Sequence, residues 1–244
     1  MQTKLKFALC AFIFVLSSCQ SKEEPLTREK SLSTGFSMMD RGNYDEAIAY
    51  FTKLSAVDPH FHVKMALASA YAGRAGVKIE QIYSFVVVKN ITPQTLRLTG
   101  LSIDQQTSQL MNTLARYSER WNRVPDVSPG GRRDLQSALK VLEGVPEPGA
   151  RLYSATLRVV LLKSSVVQGT KSWKIQSKSQ VCTDDLRPYF DWGLRIVDGL
   201  LFLLEDLRGA FPEREKDYQD ISNRLSQIKK DAEALPWPRE KMCF

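Results

Sequence analysis

The chain has 244 residues, of which 43% are hydrophobic and 25% charged, and its formal net charge at pH 7 is +7. That balance is ordinary for a globular protein and allows one compact domain with a sizeable core. The basic excess forms no clustered basic helix and no basic stretch interleaved with aromatics, so nucleic acid is not an expected partner.

The first element is a leader. Lys4 and Lys6 precede an apolar run from Phe7 to Leu16, and Ser17 and Ser18 follow it, which is the layout of an export signal. The run is well short of the roughly 20 residues a helix needs to cross a bilayer. Leu16-Ser17-Ser18-Cys19 resembles the lipobox of bacterial lipoproteins. The resemblance implies that residues 1–18 are removed as a signal peptide and that Cys19 carries a diacylglyceryl group, with its new amine acylated as well. Two or three acyl chains would anchor the body stably to membrane lipid, because each buried methylene adds about 0.8 kcal/mol. Gln20 stands where the enteric pattern has an Asp for retention at the inner membrane, so the resemblance implies the outer membrane, with the body facing the periplasm. Residues 19–30 then form a polar tether, SKEEPLTREK after Gln20. Loss of Lys4 and Lys6 with the leader lowers the positive charge by two. It leaves anionic headgroups, lipopolysaccharide or murein as the fitting electrostatic partners.

Residues 31–244 are expected to form a single all-α domain. In GFSMMDRGNYDEAIAYFTKLSAVDP, residues 35–59, apolar residues recur at helical spacing on both sides of Arg41-Gly42-Asn43, which predicts a helix, a tight turn and a second helix. Gly35, Ala47, Phe51 and Pro59 have the spacing of the small-residue, Ala, Phe and Pro positions of a tetratricopeptide repeat, and GNYDEAIAYF resembles the core of one. The resemblance implies close helix pairing at Gly35 and Ala47, a groove filled by Phe51 and a helix stop at Pro59. Ser31 and Met38 depart from the Trp and Tyr usual on the first helix. One period of 34 residues later, Gly42, Glu46, Ile48, Phe51 and Pro59 map onto the identical Gly76, Glu80, Ile82, Phe85 and Pro93. Gln81 replaces the small Ala in this second unit. No third copy is visible, so the tetratricopeptide-like part is 31–93 and the helical remainder 94–244.

In that remainder Ser102 to Trp121 reads as an amphipathic helix, and Pro125 to Gly131 as a loop. Asp134 to Leu142 is a helix ended by Pro146-Glu147-Pro148-Gly149, Leu152 to Val167 is another, and Gly169 to Gln180 is a Ser- and Lys-rich connection. A long helix from Asp184 or Asp185 to about Gly209 carries GLLFLL, residues 199–204. Arg195, Asp198, Glu205 and Asp206 bracket that run too closely for a membrane span and favour a central core helix. Pro212 to Leu235 closes the chain as a charged amphipathic helix. Between Glu147 and Asp184 no acidic residue occurs. Arg151, Arg158, Lys163, Lys171, Lys174 and Lys178 there read either as a basic patch for anionic lipid or an acidic partner, with Trp173 suited to an interface, or as a solvated face.

Cys10 leaves with the leader and Cys19 is consumed by lipid, so Cys182 and Cys243 remain, either as a disulfide or as two free thiols. His60 and His62 are the only histidines and too few for a metal site. The Ser-x-x-Lys matches at Ser137 and Ser226 lack the companion motifs of penicillin-binding enzymes, and no phosphate loop or zinc signature occurs. No catalytic residue, metal or cofactor is expected. Two functions fit: a lipid-anchored interaction scaffold for another envelope protein, or a helical carrier of a small molecule or lipid. Tyr50, Tyr71 and Tyr83 would serve either one if they line a concave face. The oligomeric state is not legible.

Overall fold

The computed structural model describes residues 27–77, 121–171, 182–235 and Cys243. By compactness the chain divides into Met1–Thr34 and Gly35–Phe244. Of the first unit the described part is the opening of helix α1 (Arg28–Asp40), whose later residues belong to the second unit. Every regular element among the described residues is helical, as the all-α expectation requires. After α1 come α2 (Tyr44–Val57), α3 (Phe61–Arg74), α4 (Pro129–Leu142), α5 (Pro148–Lys171), α6 (Thr183–Ala210), a single 3₁₀ turn at Pro212–Arg214, and α7 (Glu215–Ala234). No described helix is long and apolar enough to cross a membrane.

The turn signal at Arg41-Gly42-Asn43 stops α1. Gly42 adopts φ +79°, a left-handed conformation open to glycine at no steric cost. The Gly42 N–H bonds back to Met39 O and the Asn43 N–H to Met38 O, both at 2.9 Å, which is the paired closure of a Schellman stop. One period later α3 ends the same way. Gly76 has φ +78°, its N–H donates to Gly73 O at 2.9 Å, and the Val77 N–H donates to Ala72 O at 3.0 Å. The Gly42 and Gly76 identity in sequence is therefore an identity of helix termination.

α2 follows with Asp45 and Glu46 in its first turn, where carboxylates suit the helix dipole. It ends before Pro59, and the three-residue link to α3 brings the two helices into a packed hairpin. α3 is buried nearly all round, with Val63, Ala66, Leu67, Ala68, Ala70 and Ala72 inside. Its run of small residues lets α2 approach one side and α4 the other.

The main core joins α3, α4 and α5 through Ala68, Ala72, Leu135, Ala138, Leu142, Tyr153, Leu157 and Val160. α6 lies against α5, and α7 against α6. This differs from the expected placement of GLLFLL at the centre. Of α6 only Thr183 and Asp206 are fully buried, and Phe202 is 52% exposed. The physical reason is position: α6 is covered by α5 on one side and by a thin, charged α7 on another, whereas α5 is enclosed by α3, α4 and α6.

Three helix boundaries also differ from the sequence expectation; one is the start of α5, at Pro148 rather than Leu152. Pro129-Gly130-Gly131 is the first turn of α4 rather than loop, because Ser128 Oγ accepts the Gly131 N–H at 3.0 Å and Pro129 takes the first helical position, where its missing N–H costs nothing. A Cβ on Gly131 would lie 3.3 Å from Ala75 O, so the glycine also lets α4 start against the end of α3. α5 runs through Gly169 to Lys171 instead of breaking there. Gly169 is a contact point for α6: a Cβ at this position would overlap the Trp192 indole, whose Nε1–H donates to Ser165 O at 3.0 Å. Residues 102–120 and the whole of the second repeat unit beyond Val77 lie outside the described residues.

Candidate functional site

The four residues that carry the repeat resemblance occupy one short helical layer. Gly35 is buried, and a Cβ built on it would fall within the Phe51 ring. Phe51 is fully buried and meets Phe36 edge-on with ring centroids 5.8 Å apart. Ala47 is fully buried, one turn before Phe51. Pro59 stands just past α2, between Asp58, whose carboxylate accepts the His60 N–H at 3.3 Å, and the start of α3. Gly73 repeats the close approach of Gly35: the Tyr44 ring fills the place of its missing side chain.

Tyr50 and Tyr71 are half-buried. Tyr50 meets Phe51 edge-on, with ring centroids 5.6 Å apart. Tyr71 packs on the main core and lies 5.6 Å beneath the Arg74 guanidinium, so it is a packing residue as much as a surface one. Tyr83 lies outside the described residues.

Arg74 was not singled out by sequence, and it ties three helices together. Its guanidinium grips Asp134 of α4 with bonds of 2.7 and 3.1 Å and reaches Asp45 of α2 at 2.5 Å. The bonds to the Asp134 carboxylate, and after them the bond to Asp45, hold the guanidinium even more firmly protonated than usual. No local signal marks such a pairing, because the partners lie 29 and 60 positions away in the chain.

Of the basic run, Arg151, Arg158 and Lys163 are taken up in internal pairs. Lys163 is buried: its ammonium donates to the Val124 carbonyl and lies 3.2 Å from the Asp126 carboxylate. It therefore pins the loop before α4 and contributes no charge to an exposed face. Arg151 and Arg158 converge on Asp206 of α6, at 3.2 Å and 2.6 Å, and Asp206 is only 3% exposed. The Arg158 guanidinium also lies 5.0 Å above the Phe202 ring. The acidic partners that the run lacks locally come from neighbouring elements. Lys171 ends α5, and Lys174, Lys178 and Trp173 lie outside the described residues.

Between α6 and α7 runs an open groove of about 270 Å³. Leu201, Phe202, Leu204 and Tyr218 supply its apolar part, and Asp198, Glu205 and Arg208 its charge. Its walls are linked by Lys229 to Asp198 at 2.6 Å and Arg208 to Gln219 at 2.5 Å. Burial raises the Tyr218 pKa above its ordinary value, partly offset by the nearby Arg214.

Cys182 and Cys243 are joined in a disulfide across a sequence separation of 61. Cys182 also caps α6. Its backbone N–H donates to Asp185 Oδ2 at 3.0 Å, and its carbonyl accepts the Asp185 N–H at 2.9 Å, so the cross-link and the helix start share one residue.

His60 and His62 stack with ring centroids 4.9 Å apart, and His60 Nδ1 caps α3 by accepting the His62 N–H at 3.3 Å. No group of three or more His, Cys, Asp or Glu side chains suited to a metal ion occurs among the described residues. Cys19 lies outside them. No protein-family model matches the chain, and no curated protein or solved structure matches it either.

Proposed function

We propose that the protein is a lipid-anchored scaffold of the bacterial cell envelope, fixed to membrane lipid through Cys19 and acting by holding another envelope protein on a tetratricopeptide-like helical surface. The observation that carries this reading is the recurrence of one helix stop at Gly42 and Gly76, together with the interlock of Gly35 and Phe51 between paired helices. A 34-residue period in which each first helix ends on the same glycine closure supports a repeat built by stacking hairpins. Such arrays bind extended or helical segments along their faces rather than transforming them. The Cys182–Cys243 disulfide suits an oxidising compartment outside the cytoplasm.

The anchor is tested by metabolic labelling with an alkyne-bearing fatty acid. The intact chain should take up label and follow the outer-membrane fraction, while Cys19→Ala should do neither; equal labelling of both forms would remove the anchor. The scaffold is tested by in-cell crosslinking of the anchored protein and mass spectrometry of what it captures. One envelope protein should be enriched over the Cys19→Ala form and lost with Phe51→Ala.

The α6–α7 groove, with Phe202 half open to solvent, favours a second reading as a carrier of a small apolar molecule or lipid. Native mass spectrometry separates the two. A bound small molecule that leaves with Phe202→Asp, and no captured protein, would put the carrier ahead.

A further inference from the structure

The closing helix carries an apolar stripe that nothing among the described residues covers. Ile221, Ile228 and Leu235 are 47%, 58% and 64% exposed, and they recur every seven positions. The side of α7 that faces α6 is a different one, marked by Tyr218, Ser222 and Lys229. Seven-residue spacing is the repeat of a helix-to-helix seam, since it returns a side chain to nearly the same azimuth after two turns. From Ile221 to Leu235 the stripe runs for about 21 Å at 1.5 Å per residue.

We propose that this stripe is the seam of a homodimer in which α7 of one copy packs antiparallel on α7 of a second copy, with the two-fold axis passing beside Ile228. The charges beside the seam choose the partner and the direction. Arg224 and Asp231 are exposed, flank the same edge of the stripe and are themselves seven positions apart. Among the described residues Asp231 engages Gln227, through one carboxylate oxygen at 2.7 Å. In the antiparallel arrangement Ile221 of each copy meets Leu235 of the other, Ile228 meets Ile228, and Arg224 of each copy comes beside Asp231 of the other, twice by symmetry. A parallel pair would instead bring Arg224 toward Lys229 of the second copy, placing like charges together. One patch that is self-complementary in both shape and charge is what a two-fold interface requires. The inference stands apart from the scaffold reading, because α7 lies outside the repeat-like segment.

The test uses the full chain with Ile228→Cys, oxidised with copper phenanthroline, and Lys230→Cys on the opposite side of α7 as the reference. A two-fold axis at position 228 should give a covalent dimer at least tenfold more abundant for Ile228→Cys than for Lys230→Cys. Equal crosslinking of the two, or capture of a different protein by Ile228→Cys, would overturn the homodimer. Sedimentation velocity supplies the second readout. Arg224→Asp should weaken dimerisation at least tenfold, and Arg224→Asp combined with Asp231→Arg should restore it. A wild-type chain that stays monomeric, or a paired reversal that fails to restore what the single one loses, would sink the proposal even if crosslinking occurs.

Discussion

Gly35 lacks a side chain because Phe51 occupies the place where one would stand. Gly35→Ala should therefore cost about 2–3 kcal/mol through overpacking, read by urea unfolding, and Phe51→Leu in the same chain should recover part of it. A loss no larger than that of an exposed helical Gly→Ala change would show that the two helices do not interlock there. Asp206 poses the opposite problem, a single buried carboxylate answering two guanidiniums. Asp206→Ala leaves both cations without their partner. Because Arg151 and Arg158 keep 29% and 27% of their side-chain surface, the expected loss is about 2–3 kcal/mol rather than that of a fully enclosed pair. Alkaline pH acts on two neighbours. Tyr218 is raised above its ordinary value of 10.0 by burial, and Lys229 above 10.5 by its bond to Asp198. In both cases the folded state holds its proton more tightly than the unfolded one. Stability is thus complete below about pH 10 and falls as pH rises through the folded values. A denaturation series from pH 8 to 11.5 should show this fall, shallower for Tyr218→Phe.

Helices in this chain are positioned by what happens at their ends and at their glycines. Ser128 and Pro129 start α4, Cys182 and Asp185 start α6, and Gly42 and Gly76 stop α1 and α3. Much of this was readable: α1 and α2 fall on either side of the predicted turn, and the starts and stops of α6 and α7 agree with the sequence to within a few residues. Misreadings came from treating small residues as breaks. Gly131 and Gly169 are glycine because another helix comes close, a cause that lies far along the chain and leaves no local mark. The same holds for charge, since the run from Arg151 to Lys163 is basic only until α6 and the loop at Asp126 are folded against it. The α6 end carries the element-level prediction. Breaking the disulfide with Cys182→Ser and Cys243→Ser frees a segment spanning 61 positions, and the chain-entropy relation gives a loss of about 4 kcal/mol. Calorimetry of oxidised and reduced protein measures it, and no difference in melting temperature would mean that the bond carries no stability.

At the scale of the molecule the core belongs to α3, α4 and α5, while α6 and α7 form an outer pair held on by the Asp206 cluster, Trp192 and the α6–α7 bonds. The all-α class was legible from helical periodicity throughout. The location of the core was not: GLLFLL is apolar along its length, but burial depends on how many neighbours enclose a helix. The disulfide adds a mechanical property. If the chain is stretched from its two ends, tension passes from Cys182 to Cys243 through the sulfur bridge, and the 61 positions between them, about 200 Å of extended backbone, stay slack. Force spectroscopy should show that missing length appear on reduction. Helices α6 and α7 would thus keep their shape under a pull that unravels everything before them.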